Sequence, residues 1–188
     1  MLTLHVPTAE IARSWAAWQA LGVRTRASRR TNSYSLALTP ALVVSMEERD
    51  GPPLIAARVV DPLLIGALVI LPGARRYGRT AKWTGDHLAF SASPAPAASP
   101  GYPLADPLAA RIVIAGPAVE EAAPALPGLG FFRPDHTRPL YRRGPMSFEL
   151  VEERPWVLGV MLPDPEGRIA GRGLPGVIGG LGLGTFQD

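Results

Sequence analysis

Three histidines, sixteen carboxylates and no cysteine set the chemistry available to this chain of 188 residues. Without a thiol there is no disulfide framework, thiolate zinc site, iron–sulfur cluster or cysteine nucleophile, so any metal must be held by His, Asp or Glu. Two candidate donors sit in segments with strand alternation. In LTLHVP (2–7), Leu2, Leu4 and Val6 share one face, so Thr3 and His5 point the other way. In MSFELVEE (146–153), Met146, Phe148 and Leu150 share a face, and Ser147, Glu149 and Val151 take the opposite one. The other histidines, His87 and His136, lie in DHLAFSAS and in the loop PDHTRP.

Arginines supply most of the remaining chemistry, since Lys82 is the only lysine among 19 basic residues. They cluster in RTRASRR (24–30), ARRYGRTAKW (74–83) and LYRRG (140–144), two of these with aromatics interleaved. Arginine beside Tyr or Trp can clamp a phosphate or stack on a base, which makes Tyr77, Trp83 and Tyr141 candidate ligand-binding residues. The net charge is only +3, however, and the pI of about 9.8 reflects guanidinium groups that do not deprotonate. The clusters therefore read as outer strands, where alternating arginine solvates the exposed face and blocks edge pairing, rather than as a nucleic-acid surface. GRGLPG (171–176) has the form of a dinucleotide fingerprint, but only twelve residues follow it and Pro175 stands where its helix should begin. No P-loop, G-x-S-x-G or H-E-x-x-H sequence occurs.

The elements that must position these residues recur along the chain. An apolar extended segment, a helix and further extended segments start near Leu2, Leu54 and Ala109. In the first unit Thr8 is the expected N-cap, Gly22 the helix stop, and Ile11, Trp15, Trp18 and Leu21 the buried stripe, with both tryptophans as core anchors. In the second, Asp61 and Pro62 start a helix that Pro72 and Gly73 end. Its run PLLIGALVILPGA (62–74) is too short to span a membrane and reads as a buried helix. In the third, Pro117 starts a helix that Pro124 shortens. The triplet Glu-Glu-Arg closes two units, in SMEERD (45–50) and LVEERP (150–155).

This organisation predicts an α+β fold of repeated βαβββ modules: modules one and two over 1–97, a Pro-rich linker over 98–108, a third module over 109–154 and a Gly-rich extension over 155–188. In the extension WVLGVML reads as one strand and the remainder as a loop. With 47% hydrophobic residues the chain is folded, and with Gly 20 and Pro 21 it is loop-rich. The segment MLTLHVPTAE shows no secretory pattern, so the expected compartment is the cytoplasm.

The tandem module, opening with LTLHV and closing with FELVEE, resembles the vicinal oxygen chelate superfamily, which includes glyoxalase I, extradiol dioxygenases and the fosfomycin and bleomycin resistance proteins. The similarity spans about residues 2–154. It implies paired modules whose curved mixed sheets enclose a cleft. In metal-dependent members the first and last strands supply His and Glu ligands, and on that resemblance His5 matches the opening ligand and Glu149 the closing-strand glutamate of a divalent Zn, Ni, Mn or Fe. The set is incomplete. Aligning the Glu-Glu-Arg triplets puts Val44 opposite Glu149, so the first module lacks its acid unless the register shifts to bring in Glu47. LIAARV and ARIVIAG contain no histidine and HLAFSAS no acid, whereas a catalytic metal usually takes three protein ligands. His87 and His136 complete a set only if their segments reach the cleft.

The expected function is thus glyoxalase-like or bleomycin-resistance-like binding of a small, anionic or aromatic molecule in a cleft, with no cofactor. Two alternatives stand beside it: a metal-dependent lyase or dioxygenase, and an arginine-rich interaction or nucleic-acid module. A third module without a partner leaves a sheet edge that the extension or a second copy must cover, so a homodimer is expected among the partners, and no membrane.

Overall fold

The computed structural model describes residues 1–28, 32–39, 41–95, 110–135, 137–144, 146–163 and 175–186. His136, the 98–108 linker and most of GRGLPG lie outside them. The chain opens with β1 (Leu2–Pro7), α1 (Ile11–Ala20), β2 (Thr25–Ala27), β3 (Ser33–Thr39) and β4 (Leu42–Glu47). It repeats this order as β5 (Leu54–Val59), α2 (Pro62–Val69), β6 (Arg75–Tyr77), β7 (Thr80–Thr84) and β8 (Ala89–Pro94). A third unit comprises β9 (Arg111–Ala115), α3 (Ala118–Ala125), a 3-10 turn at Leu126–Leu129, β10 (Leu140–Arg143) and β11 (Met146–Val151).

Local chemistry starts and stops the helices. The Asp61 carboxylate accepts the Leu63 N–H at 2.9 Å, with Pro62 filling a position that needs no donor. α1 departs from expectation: its N-cap is Glu10 with no side-chain cap, and the Thr8 hydroxyl accepts the Glu10 N–H at 3.3 Å. Gly22 follows α1 at φ +76°, a left-handed conformation that glycine adopts without strain. Pro124 sits inside α3, which gives way after Ala125 to the tighter 3-10 turn.

Pairing places the units in two mixed sheets. Each opening strand is parallel to its closing strand, β1 to β4, β5 to β8 and β9 to β11. The first two units join through antiparallel β1 and β5, giving the eight-stranded order β2-β3-β4-β1-β5-β8-β7-β6. The reading of 155–188 as one strand and a loop is corrected here. It supplies β12 (Leu158–Pro163), β13 (Val177–Ile178) and β14 (Leu181–Phe186), of which β12 and β14 pair in parallel as opening and closing strands do elsewhere. β12 also pairs antiparallel with β9, completing the six-stranded order β10-β11-β9-β12-β14-β13. The third unit's opening strand therefore has partners on both sides, and no second copy is needed to cover it.

Alternate residues of both sheets bury against a shared core. Leu42, Val44 and Met46 of β4 and Met146, Phe148 and Leu150 of β11 face inward. Trp18 from α1, Ile65 and Leu68 from α2 and Ala122 and Ala125 from α3 join the same apolar cluster, so the helices lie between the two sheets. The inward residues of β4 and β11 are all even-numbered, so the odd offset of 105 between Glu47 and Glu152 superposes a buried position on an outward one. The Glu-Glu-Arg match is not a structural equivalence. α2 is likewise not fully buried, since Leu63 and Ile70 are each 82% exposed.

The turn between β7 and β8 is tied to α3 by Glu121. Its carboxylate accepts the backbone N–H groups of Asp86, His87 and Leu88 at 2.9, 3.1 and 2.9 Å. No helix among the described residues is long and apolar enough to cross a membrane.

Candidate functional site

The face of the eight-stranded sheet turned away from the helices carries polar and charged side chains among small apolar ones. Strand register lines up Arg26, Ser35, Ser45, His5, Leu54, Ala89 and Thr84 as cross-strand neighbours, and beside them Ala37, Val43, Thr3, Ala56, Ser91, Lys82 and Arg75. Directly opposed residues share a face, so hydroxyl residues interleaved with small apolar ones form the floor and cations stand at both ends. Arg58 and Ser93 extend it by another pair. At one end Gly73, Arg75, Tyr77, Lys82 and Thr84 line a recess of about 320 Å³. Glu47 is the only carboxylate in the eight strands.

Glu47, at the end of β4, is engaged on this face through both of its oxygens. His5 Nδ1 lies 2.6 Å from its Oε1, which also accepts the Ser45 hydroxyl at 2.9 Å, while Arg49 Nε donates to Oε2 at 3.0 Å. Arg49 is held in turn by the carbonyls of Asp50, His5 and Pro52. Burial works to raise the Glu47 carboxyl, but the hydrogen bonds from His5 and Ser45 and the charges of His5 and Arg49 outweigh it and lower its pKa. A depressed folded-state pKa stabilises the fold above the unfolded value and ceases to do so as pH falls through the folded one. Glu47→Gln is therefore expected to flatten the fall in stability below the ordinary carboxylate value of 4.5. Urea midpoints measured down a pH series check this, and an unchanged acid limb would show that the carboxylate is unperturbed.

The other candidate residues are dispersed. Tyr77 lies on the polar face and is more than half exposed. Trp83 pairs with buried Phe90 and so faces the helices, its Nε1–H donating to the Pro72 carbonyl at 2.8 Å. Tyr141 pairs with Phe148 on the inward face of β11 and is itself buried. His87 is exposed in the turn that Glu121 clamps. Glu149 lies on the outward face of the six-stranded sheet, 3.4 Å from Arg111 Nη1. It is thus on a different sheet from His5, with the helices between them.

That second outward face is filled by its own side chains. A Cβ on Gly182 would lie 2.2 Å from ring atoms of Trp156, and one on its partner Gly159 would lie 2.6 Å away, so the indole occupies the space over both. Met161 covers Gly184 in the same way, and the Arg111 guanidinium stacks 4.6 Å from the centre of the Phe186 ring.

A larger recess of about 600 Å³ lies between the start of α1 and the β13–β14 turn, but its cation, Arg13, is paired with Glu10. The metal site that the family resemblance implies does not fit these donors. Both Glu47 oxygens already accept hydrogen bonds, Glu149 is paired with Arg111 across the molecule, and among the described residues no three His, Asp or Glu side chains gather.

No protein-family model and no curated protein matches the sequence. Solved structures do match the fold. A xylose isomerase-like TIM barrel/4-hydroxyphenylpyruvate dioxygenase fusion protein superposes over 92% of this chain with a TM-score of 0.57 at 13% identity, and this chain spans 38% of its length. A 2,2',3-trihydroxybiphenyl 1,2-dioxygenase from dibenzofuran-degrading Sphingomonas wittichii strain RW1 superposes over 91% of this chain and 74% of its own, with a TM-score of 0.53 at 9% identity. A catechol 2,3-dioxygenase gives 0.50 at 16% identity over 91% of this chain and 72% of its own. At such identities the likeness is one of fold.

Proposed function

We propose that this chain, which has the vicinal oxygen chelate fold, binds a small anionic molecule on the polar face of its eight-stranded sheet, without a metal ion. The observation that carries this reading is the charge pattern of that face. Arg26, Arg58, Arg75 and Lys82 point outward from its strands, and the one acid, Glu47, is neutralised by Arg49 and hydrogen-bonded by His5. Hydroxyls of Ser35 and Ser91 between the cations supply donors that suit a carboxylate or phosphate. Tyr77 beside Arg75 and Lys82 adds an aromatic wall for a ligand with a ring.

Thermal unfolding in the presence of citrate, phthalate, benzoate and phenyl phosphate tests it. A ligand present at 100 times its Kd stabilises by about 2.7 kcal/mol, which for a chain of this size raises Tm by roughly 5–10 °C. At least one anion is expected to do so in the parent and much less in an Arg75→Ala, Lys82→Ala double variant. Equal shifts in both proteins, or none in the parent, would remove this face as the ligand site.

A further inference from the structure

We infer that His5 is a general base oriented by Glu47, so that the polar face carries out metal-independent proton abstraction from a small carbonyl compound; this rests on the reading that the ligand lies on that face. Three shells of contacts build the pair. Arg49 is fixed by carbonyls of Asp50, His5 and Pro52, it fixes Glu47 through Oε2, and Glu47 fixes His5 Nδ1 at 2.6 Å. With Nδ1–H donated to the carboxylate, the neutral imidazole has its lone pair on Nε2, for which no partner is present among the described residues. The imidazole side chain is 28% exposed, on a strand rather than a loop, between Ser45 and Leu54 of the adjoining strands.

A simple surface ion pair does not require an arginine anchored by three carbonyls behind it. The arrangement is that of a base with its orienting acid: the acid selects the tautomer and stabilises the imidazolium as it forms. In the step itself, Nε2 takes a proton from a carbon next to a carbonyl. The C–H electron pair becomes the new carbon–carbon π bond, and the carbonyl π pair moves to oxygen. Return of the proton from Nε2 to the γ-carbon of a β,γ-unsaturated carbonyl compound, on the same face, completes an allylic isomerisation that consumes no oxidant and no co-reactant.

The test uses 5-nitrobenzisoxazole, a neutral probe whose C–H proton is removed by a base while its N–O bond breaks to release a coloured nitrophenolate. Because it carries no charge, its turnover does not depend on the anion-binding cations. The parent is expected to exceed His5→Gln, which retains a donor to Glu47 but has no base, by about 10²-fold or more. Added imidazole is expected to restore turnover to His5→Ala, Glu47→Gln to lower it without altering the circular dichroism spectrum, and His87→Ala to leave it unchanged. Equal rates in the parent and His5→Gln would overturn the inference, as would full activity in Glu47→Gln. Anion-induced thermal protection without probe turnover would remove the base and leave the binding reading intact. Turnover without thermal protection would do the reverse.

Discussion

Phe148→Ala is expected to cost about 3–5 kcal/mol, the usual range for deleting a fully buried phenyl ring, and so to lower Tm by roughly 6–20 °C. Phe148 is inaccessible to solvent on the inward face of β11, and its ring meets Phe131 edge-on at 4.7 Å with the planes 88° apart. Phe131 follows directly on the 3-10 turn after α3, so the pair anchors that turn to the six-stranded sheet. Removing one ring loses its transferred area and leaves a cavity that fixed strands on either side cannot close. Urea unfolding followed by tryptophan fluorescence measures the loss. A change below 1 kcal/mol would mean that the two rings are not in one core.

Gly128→Val tests the other side of the same turn. A Cβ at Gly128 would lie 2.8 Å from both Cβ and the backbone N of Leu68, and 3.1 Å from its Cα. The turn therefore touches the backbone of α2, which belongs to the first sheet's half of the molecule, and only a residue without a side chain permits that approach. Overpacking of this kind costs about 1–3 kcal/mol and occasionally more, and backbone on both sides leaves little room for relief. The expected result is a lower Tm in a single transition, because both sheets close over one apolar cluster. Wild-type stability in this variant would show that the halves do not meet at α2.

Much of this architecture was legible in the sequence because the alternation was clean. LTLHVP, LVVSME, LIAARV and MSFELV each bury every second residue, with small irregularities, and the helix signals at Asp61, Pro62 and Gly22 stand where the helices begin and end. The tail was not legible, since LGLGTF has the composition of a loop. It holds as a strand because its outward glycines, Gly182 and Gly184, are covered by Trp156 and Met161 from elsewhere in the tail. Tertiary packing there overrides the poor strand propensity of glycine.

The site was half legible. Alternation places both His5 and Glu149 outward, but it does not say that they lie on different sheets, and aligning the Glu-Glu-Arg triplets sets Val44 rather than Glu47 opposite Glu149, which hides the contact between His5 and Glu47. The same parity separates Lys82, outward on the polar face, from Trp83, which turns to the helices. Aromatic character beside arginine selected Tyr77, Trp83 and Tyr141 together, yet Tyr141 pairs with Phe148 in the core. Residue type alone did not carry the information about which side of each strand it occupied.

The central claim, an anion held on the His5 face without a metal, is tested most directly by titration calorimetry with the anion that gives the largest thermal shift. The parent protein is titrated before and after dialysis against EDTA, and Lys82→Ala is titrated alongside. The expected result is an unchanged Kd after chelation and a Kd weakened roughly tenfold or more in Lys82→Ala, the worth of one hydrogen bond to a charged group. Binding that disappears on chelation and returns with Zn, Mn or Fe would contradict the account and place a metal between protein and ligand.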